Sequence, residues 1–233
     1  YALRRGSRDA RDPCWSNEGA ARAAARHAIE MLEEHPEWRL ITLGQSDYGV
    51  VCECDGCKAL VEKHGANSGM VIHFINKVAE IVKEKHPNVW INTNAYRWSQ
   101  AAPKGIRCAD NVTITIPPIA CNYGQPLAEG WPDENAQYKR DLEAWARICN
   151  KIYVWDYTTN FVHYAMPWPN FYVLQPNIRF FAEHNVRGIF EQGSHTTNNG
   201  QFSKLCMWVS AQAMWDPDAD GRKLVEQFCM GYY

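Results

Sequence analysis

Short apolar runs that alternate with helical stretches constrain the fold of this chain more than any other feature. The runs begin near residues 39, 89, 111, 151 and 187, and the clearest of them, Asn111–Ile116 (NVTITI), is rich in β-branched residues and stops at Pro117. Strands that are separated by helices pair in parallel, and the helices cover the sheet. The order of the runs therefore predicts an α/β fold with a parallel sheet.

The stretches between these runs have the spacing of helices. Ser68–His86 places its apolar residues three and four positions apart, begins at a serine and is followed by Pro87. Similar patterns predict helices over residues 17–35, 135–149, 170–184, 202–215 and 221–228, with Ser16 as the N-cap of the first. No low-complexity linker divides these elements, so we predict one domain over residues 1–233.

The absence of phosphate-binding motifs favours a barrel over a Rossmann-type sheet. No Gly-x-Gly-x-x-Gly and no Gly-x-x-x-x-Gly-Lys follows a predicted strand. Five strands cannot close an eight-stranded barrel, so we predict the carboxyl-terminal part of a TIM-like (β/α)8 barrel whose amino-terminal strands are absent from this chain. We expect Tyr1–Leu3 to be the remnant of one such strand, and the upstream remainder of the same protein to be a partner.

Charge and hydropathy exclude two classes of partner. The formal net charge is −2 and the isoelectric point is near 6.5, which gives no reason to expect nucleic acid or an anionic membrane. No apolar run approaches the roughly 18 residues that a membrane span needs. We therefore expect no nucleic acid partner and no membrane span.

Acidic, amide and aromatic residues follow the predicted strands. The active site of a (β/α) barrel lies at the carboxyl ends of its strands, where Asp47, Asp156 and Glu191 are the carboxylates. Residues predicted to bind substrate beside them are Tyr48, Tyr96, Trp98, Tyr123, Trp155, Tyr157, Asn160, Gln192 and His195. A single acid at such a position is as well explained by a helix cap or an ion pair, but three of them together indicate function.

These residue types suit a glycan. Sugars need flat apolar surfaces and polar groups that bind hydroxyls, and glycosidic cleavage needs a proton donor and a second stabilising group. We predict Glu191 as the general acid/base, and Asp47 or Asp156 as the group that stabilises the developing positive charge. No cofactor is expected for this chemistry.

Cysteines form a second constellation. The nine cysteines are an odd number, so they cannot all pair within one chain. Cys52, Cys54 and Cys57 lie within six residues, and with Cys14 they suit a structural zinc ion held by four thiolates. A disulfide from Cys14 to one of the other three is the alternative, and either role is structural.

Several segments together resemble a bacterial family labelled a domain of unknown function, which is common in the glycan-degrading gene clusters of gut bacteria. The segments are Cys52–Cys57, Phe74–Ala79, Asn94–Tyr96, Val154–Phe161, Gly188–Gly193 and Trp215–Pro217. The family includes endo-β-N-acetylglucosaminidases that act on N-glycans, and its barrel is similar to those of α-glucuronidases and β-hexosaminidases. The family's motif residues fall on Asp47, Tyr96, Trp155, Asp156, Tyr157, Asn160, Glu191 and Gln192.

The resemblance implies a glycoside hydrolase that acts on an oligosaccharide or a glycoprotein glycan. It also implies a bacterial protein that is periplasmic, exposed on the cell surface or secreted. One departure concerns the mechanism, because the adjacent Asp-Glu pair of the hexosaminidases is not found at Ser46-Asp47. The rival prediction is a non-catalytic carbohydrate-binding barrel, and a nucleotide-dependent oxidoreductase or a transferase is disfavoured because the phosphate loop is missing.

Overall fold

The computed structural model describes residues 1–47, 49–197 and 200–233. The chain divides into two compact units, of which unit 1 contains Tyr1–Ile116 and Ala144–Ile152, and unit 2 contains Pro117–Glu143 and Tyr153–Tyr233. The strands are β1 (Ala2–Arg4), β2 (Ser7–Asp9), β3 (Leu40–Thr42), β4 (Trp90–Asn94), β5 (Val112–Ile116), β6 (Ile152–Tyr157) and β7 (Val186–Gln192). The helices are α1 (Glu18–Glu34), α2 (Asp55–His64), α3 (Ser68–Lys85), α4 (Asp133–Ile148), α5 (Leu174–Glu183), α6 (Ser203–Trp215) and α7 (Gly221–Tyr232).

Three parallel strands form the base of unit 1. β4 lies between β3 and β5, and its Ile91 is opposite Ile41 on one side and Val112 on the other. All three side chains are buried, which suits β-branched residues on a pleated sheet. α3 covers these strands and α1 packs against α3. The apolar spacing that predicted α3 is also its buried face, which contains Met70, Val71, Phe74, Ile75, Val78 and Val82.

Unit 2 contains β7, most of β6 and of α4, and the helices α5, α6 and α7. β6 and β7 are neighbours, and burial along β6 alternates between the two faces of the strand. α5, α6 and α7 enclose an apolar core formed by Leu174, Leu205, Cys206, Val209, Leu224 and Val225. The alternation matters for the candidate site, because successive side chains of a strand point to opposite faces.

The predicted fold class is confirmed. Five parallel strands with covering helices form an α/β fold that is consistent with part of a (β/α) barrel. Each of the five predicted strands and each of the six predicted helices is present, with bounds that differ from the prediction by a few residues. Within the described ranges, none of the helices is long and apolar enough to cross a membrane.

The expectation for the first residues is wrong. Tyr1–Leu3 does not continue the parallel strands, because β1 pairs antiparallel with β2 in a separate two-stranded sheet. Arg5 and Gly6 form the turn with positive φ angles of 47° and 78°. Two such residues in succession give the tight turn that joins antiparallel strands, and Gly6 reaches this conformation without strain.

Two local features of unit 1 also differ from the prediction. Asn17, not Ser16, is the N-cap of α1, because its side chain accepts a hydrogen bond from the Ala20 amide. Helix α2, which the apolar spacing did not predict, begins directly after Cys54 and ends at Gly65 in the left-handed conformation. Both differences concern residues next to the cysteine cluster.

Candidate functional site

Two buried carboxyl groups lie close together at the ends of neighbouring strands in unit 2. Asp156, near the end of β6, is 3% exposed, and its Oδ1 accepts a hydrogen bond of 2.8 Å from the Tyr157 amide. Glu191 lies near the end of β7, and both of its carboxyl oxygens are buried without a hydrogen-bond partner among the described residues. Buried carboxyl groups are costly unless paired or protonated, so this pair requires a physical explanation.

Protonation provides that explanation. Burial raises the pKa of Asp156 from 3.8 to about 7. Burial, and then the charge of nearby Asp156, raise the pKa of Glu191 well above its usual value. The pair therefore retains at least one proton at neutral pH, which is the state that a general acid needs.

Two tyrosine side chains, Tyr123 and Tyr138 of α4, lie near Asp156. Burial, and then the Asp156 carboxyl group, raise the pKa of both Tyr123 and Tyr138. The Tyr123 hydroxyl donates a hydrogen bond of 2.6 Å to the Pro118 carbonyl, and Tyr138 is 1% exposed. The predicted substrate residue Tyr123 is thus a neighbour of Asp156.

A second group of predicted site residues lies on the other face of the same strands. The Trp155 Nε1 donates a hydrogen bond of 2.7 Å to Gln192 Oε1, and its ring meets Phe190 edge to face with the centroids 5.0 Å apart. The two rings are 42% and 55% exposed. They therefore offer a flat apolar surface with an amide beside it.

Alternation along the strands separates the carboxyl pair from this aromatic face. Trp155 precedes Asp156 and Gln192 follows Glu191, and adjacent residues of a strand point in opposite directions. The prediction placed all four residues in one group because all are at strand ends. The structure brings Asp156 to Glu191 and brings Trp155 to Gln192.

Aromatic side chains of the loops after β5, β6 and β7 form a continuous cluster. Tyr157 meets Tyr123 and Phe161 edge to face, and Tyr123 also contacts Trp168. The Tyr164 hydroxyl and His195 Nδ1 lie 2.9 Å apart. The predicted site residues in this cluster are Tyr123, Tyr157 and His195, and the contacts extend it with Phe161, Tyr164 and Trp168.

Asn160 has a structural role in the same loop. Its Oδ1 accepts hydrogen bonds from the amides of Val162 and His163, at 3.0 and 3.2 Å. Such a contact is typical of asparagine in a turn. The side chain predicted to bind substrate is therefore engaged in shaping the loop that carries Phe161 and Tyr164.

A cavity of about 400 Å³ lies beside Glu191 in unit 2. One wall is β7 with Phe190 and Glu191, and another is α6 with Met207 and Ser210. The Ser210 hydroxyl is buried and, among the residues that the structure describes, has no hydrogen-bond partner. The cavity is thus lined by two residues with unpartnered polar atoms, Glu191 and Ser210, between apolar side chains.

The predicted site residues of unit 1 occupy two loops. Asp47 is exposed, and its backbone carbonyl accepts a hydrogen bond from Arg97 Nη1. The Gln45 amide joins the loop after β3 to the loop after β4, because its Nε2 donates to the Tyr96 carbonyl at 2.8 Å. The predicted substrate residue Tyr48 lies outside the described residues.

Trp98 differs from the other predicted stacking residues. Its ring packs against the buried Trp15, with the centroids 6.3 Å apart, and its Nε1 is buried. These contacts make Trp98 part of the packing of unit 1.

Asp12 is a buried residue that no sequence pattern identified. It is 2% exposed, its Oδ1 accepts a hydrogen bond of 2.9 Å from the Ser46 amide, and its Oδ2 accepts one of 2.8 Å from the Val50 amide. No motif precedes or follows it, and its partners are about 35 residues away along the chain. Only the tertiary structure identifies this contact.

The four predicted cysteines converge in unit 1. The sulfur atoms of Cys14, Cys52, Cys54 and Cys57 all lie within 4.8 Å of one another. The separation is 3.5 Å from Cys14 to Cys54, and 3.9 Å from Cys14 to Cys52 and to Cys57. Tetrahedral zinc with sulfur ligands at about 2.3 Å implies sulfur separations of about 3.8 Å, whereas a disulfide brings two sulfurs to about 2.05 Å. The cluster is therefore compatible with a structural metal such as zinc.

Burial and hydrogen bonds act in opposite directions on the thiols of the cluster. Burial raises the pKa of Cys52 and of Cys57, whereas the pKa of Cys54 is lowered. The Leu3 amide donates a hydrogen bond to Cys52 Sγ at 3.2 Å, and the Ser16 hydroxyl lies 3.5 Å from Cys54 Sγ. Burial acts to raise the pKa of Cys54, but the hydrogen bonds from Ser16 and from the Cys57 amide outweigh it, and the pKa falls to about 6. Ser16 thus has a place beside the cluster instead of the predicted cap.

Comparison with known proteins identifies a family. The model of a family described as a domain of unknown function (DUF4838) matches residues 1–233. No curated protein matches the chain.

Proposed function

We propose that this chain, which belongs to the DUF4838 family, is part of a glycoside hydrolase that cleaves glycosidic bonds in complex glycans. The observation that carries the proposal is the buried pair of Asp156 and Glu191 at neighbouring strand ends, with the pKa of both raised. Glycosidases use two carboxyl groups, one of which retains its proton. The action on N-glycans implied by the family resemblance makes endo-β-N-acetylglucosaminidase activity the specific form of this proposal.

Glu191 is proposed as the general acid/base. Its raised pKa keeps the proton that a leaving oxygen needs, and Glu191 is one of the residues that line the cavity of about 400 Å³. Asp156, with a pKa of about 7, ionises first and is proposed to stabilise the positive charge that develops on the sugar ring or its N-acetyl group. Asp47 stays the alternative for that second role.

The aromatic residues are proposed to bind the glycan, with Tyr123 beside the carboxyl pair and with Trp155 and Phe190 as a separate binding surface on the other face of the strands. Trp155 and Phe190 are exposed large rings, and Gln192 lies beside them with an amide suited to sugar hydroxyls. The proposed substrate is an oligosaccharide or a glycoprotein glycan. A bacterial protein in the periplasm, on the cell surface or secreted is the setting proposed for it.

A second candidate function is non-catalytic binding of carbohydrate. One observation favours it, because the exposed face of Trp155 and Phe190 lies on the opposite side of the strands from the carboxyl pair. A surface of that kind binds sugar without a proton donor beside it. The two candidates agree on the ligand and differ in turnover.

Release of glycan by the full-length protein separates the two candidates. The protein is incubated with a glycoprotein that carries N-glycans, and released oligosaccharide is measured by mass spectrometry, with binding measured in parallel by calorimetry. Release that depends on Glu191 supports the hydrolase. Binding without release, by a protein that is fully folded, supports the carbohydrate-binding candidate.

We also propose that the four-cysteine cluster holds zinc. The support is the sulfur geometry, the burial of three of the four side chains and the amide that donates to Cys52. Four thiolates fill a tetrahedral zinc ion and leave no open position, so the proposed role is structural. Metal analysis of the purified protein tests it, with about one equivalent of zinc expected. Less than about half an equivalent, with thiols paired as disulfides, would overturn it.

A further inference from the structure

Two hydrogen bonds to one buried carboxyl group hold the loop between β3 and the cysteine cluster. Residues 44–50 include Asp47, which the proposed function assigns as an alternative catalytic group. Asp12 holds this loop by accepting hydrogen bonds from the amides of Ser46 and Val50. A buried carboxyl group that accepts two backbone amides is a strong local restraint, because opening the contact would leave buried polar groups without partners.

Both partners of the contact lie two residues from a cysteine of the cluster. Asp12 is followed by Pro13 and Cys14, and Val50 is followed by Val51 and Cys52. Proline fixes its own φ and restricts the residue before it, so the connection from Asp12 to Cys14 is short and stiff. A metal ion that fixes the positions of Cys14 and Cys52 therefore also fixes the distance that the Asp12–Val50 hydrogen bond spans.

The amino-terminal hairpin reinforces the same connection. The Ala2 amide donates to the Asp12 carbonyl at 2.9 Å, and the Leu3 amide donates to Cys52 Sγ. The Glu53 amide donates in turn to the Leu3 carbonyl at 2.8 Å. β1 is thus hydrogen-bonded both to the segment that contains Asp12 and to the segment that contains Cys52. A shift of one of these three segments therefore affects the other two.

Gly49 shows how closely the loop approaches Asp12. A Cβ atom at position 49 would lie 2.4 Å from Asp12 Oδ2 and 2.7 Å from the Ser46 carbonyl oxygen. Both distances are shorter than real contacts of a Cβ atom. The Ser46 carbonyl belongs to the backbone, so it cannot move aside as a flexible side chain could. The loop therefore accepts glycine at this position because the carboxylate occupies the space of a side chain.

We propose that Asp12 is a positioning residue that couples occupancy of the four-cysteine metal site to the positions of residues 44–47, 49 and 50 in the loop after β3. With zinc bound, the two amides stay hydrogen-bonded to Asp12 and the loop holds Asp47 in one place. Without zinc, Cys14 and Cys52 separate and the contact opens. The relevance of the coupling to catalysis rests on the proposed function, but the coupling itself does not.

Amide hydrogen exchange, measured by NMR on the chain without glycan, tests the coupling directly. The reduced protein is compared with zinc bound and after removal of zinc by a chelator. Exchange of the Ser46 and Val50 amides is expected to rise at least about tenfold on removal of zinc, whereas the amides at the centre of α3 keep their protection. Equal exchange at residues 46 and 50 in the two states would overturn the proposal.

Substitutions of Asp12 separate positioning from general stability. Asp12→Asn keeps one acceptor oxygen, so it should leave one of the two amides protected, while Asp12→Ala should expose both with zinc still bound at one equivalent. Asp9→Asn is the matched control, because Asp9 ends β2, close to Asp12 in the chain, and pairs with Arg11. If Asp12→Ala does not fold, Gly49→Ala replaces it and should expose the same two amides. Parent-like exchange in the Asp12→Asn and Gly49→Ala variants would exclude the role.

These outcomes are independent of glycan hydrolysis. If the full-length protein releases no glycan but the zinc-dependent exchange is observed, the proposed function fails and the coupling stands. If glycan is released and the exchange does not depend on zinc, the proposed function stands and the coupling fails.

Discussion

Buried carboxyl groups in the two units satisfy their chemistry in different ways. Asp12 of unit 1 is buried and accepts two backbone amides, so its cost of burial is met by hydrogen bonds. Glu191 of unit 2 is buried with both oxygens free of such bonds among the described residues, and burial raises its pKa. The first arrangement fixes a loop, whereas the second keeps a proton available. Burial alone therefore does not identify a catalytic acid, and the partners of the group do.

The largest effect is expected from the cysteine cluster of unit 1. Cys54→Ser removes one of four thiolates, and loss of a structural zinc site removes a large part of the folding free energy of the elements that it joins. We expect the variant to bind less than half of the parent's zinc and to unfold at a markedly lower temperature, measured by circular dichroism and metal analysis.

Cys229→Ser is the matched control, because Cys229 is exposed and lies outside the cluster. It should unfold like the parent. A Cys54→Ser protein with the parent's melting temperature would mean that the cluster holds no metal, and unit 1 would then depend on Asp12 and its own core alone.

Glu191 of unit 2 should affect turnover and not folding. Glu191→Gln cannot donate a proton, and removal of a general acid lowers the rate by about 10² to 10⁴. We expect glycan release to fall by that factor in the full-length protein, with glycan affinity and melting temperature close to those of the parent. Initial rates on a glycoprotein substrate measure it.

The control is Glu183→Gln, an exposed carboxyl group at the end of α5. Activity of Glu191→Gln within about threefold of the parent would transfer the role to Asp47 or Asp156. In that case the contrast between a structural and a catalytic buried acid would no longer hold for Glu191.

A pH titration of stability tests the state of Asp156. The folded protein retains the Asp156 proton up to about pH 7, whereas the unfolded chain loses it near the usual value of 3.8. The folded state therefore binds more protons between these two values, and the free energy of unfolding falls as the pH rises through that window. Urea denaturation between pH 4 and pH 8 measures this decrease in the free energy of unfolding. In the Asp156→Asn variant the decrease should be smaller, by an amount on the order of a few kcal/mol.

Asp133→Asn, a change of an exposed carboxyl group in the same unit, is the comparison for that titration. A parent and an Asp156→Asn protein with parallel pH curves would show that the Asp156 carboxyl group is ionised in the folded state at neutral pH. The inference that Asp156 retains its proton in the folded protein up to about pH 7 would then fail.

The smallest effect is expected from the exposed rings. Trp155→Ala removes an aromatic surface and the donor to Gln192, and should raise the Michaelis constant for glycan by about five- to tenfold with little change in turnover. Trp215→Ala is the control, because Trp215 is 91% exposed at the end of α6. Unchanged affinity after Trp155→Ala would remove this face of β6 and β7 from the glycan site.

Much of the fold could be predicted because the local signals agree with the tertiary packing. Asn111–Ile116 is β-branched and ends at Pro117, and it forms β5 with buried residues at most positions. Ser68–His86 has helical spacing and forms α3, whose apolar face is the buried one. The hairpin was missed because its signal is two residues, Arg5 and Gly6, in a segment with little apolar pattern.

The candidate site was predicted in part. The strand ends and the four cysteines are recognisable along the sequence, because each is a local pattern of residue types. The prediction grouped Trp155 with Asp156, although adjacent residues of a strand point to opposite faces. Trp98 was predicted to stack on substrate, and its contact with Trp15 depends on a residue more than 80 positions away.

The sequence by itself determined the order of strands and helices, the acids and aromatic residues at the strand ends and the set of four cysteines. It determined them because periodicity, turn residues and ligand spacing act over a few neighbouring residues. The tertiary structure alone decided that Asp12 holds the amides of Ser46 and Val50, that Ser16 lies beside the cysteines, and that Glu191 is buried next to Asp156. These contacts join distant segments, and their energies depend on burial and on the direction of each side chain, which exist only once the chain has folded.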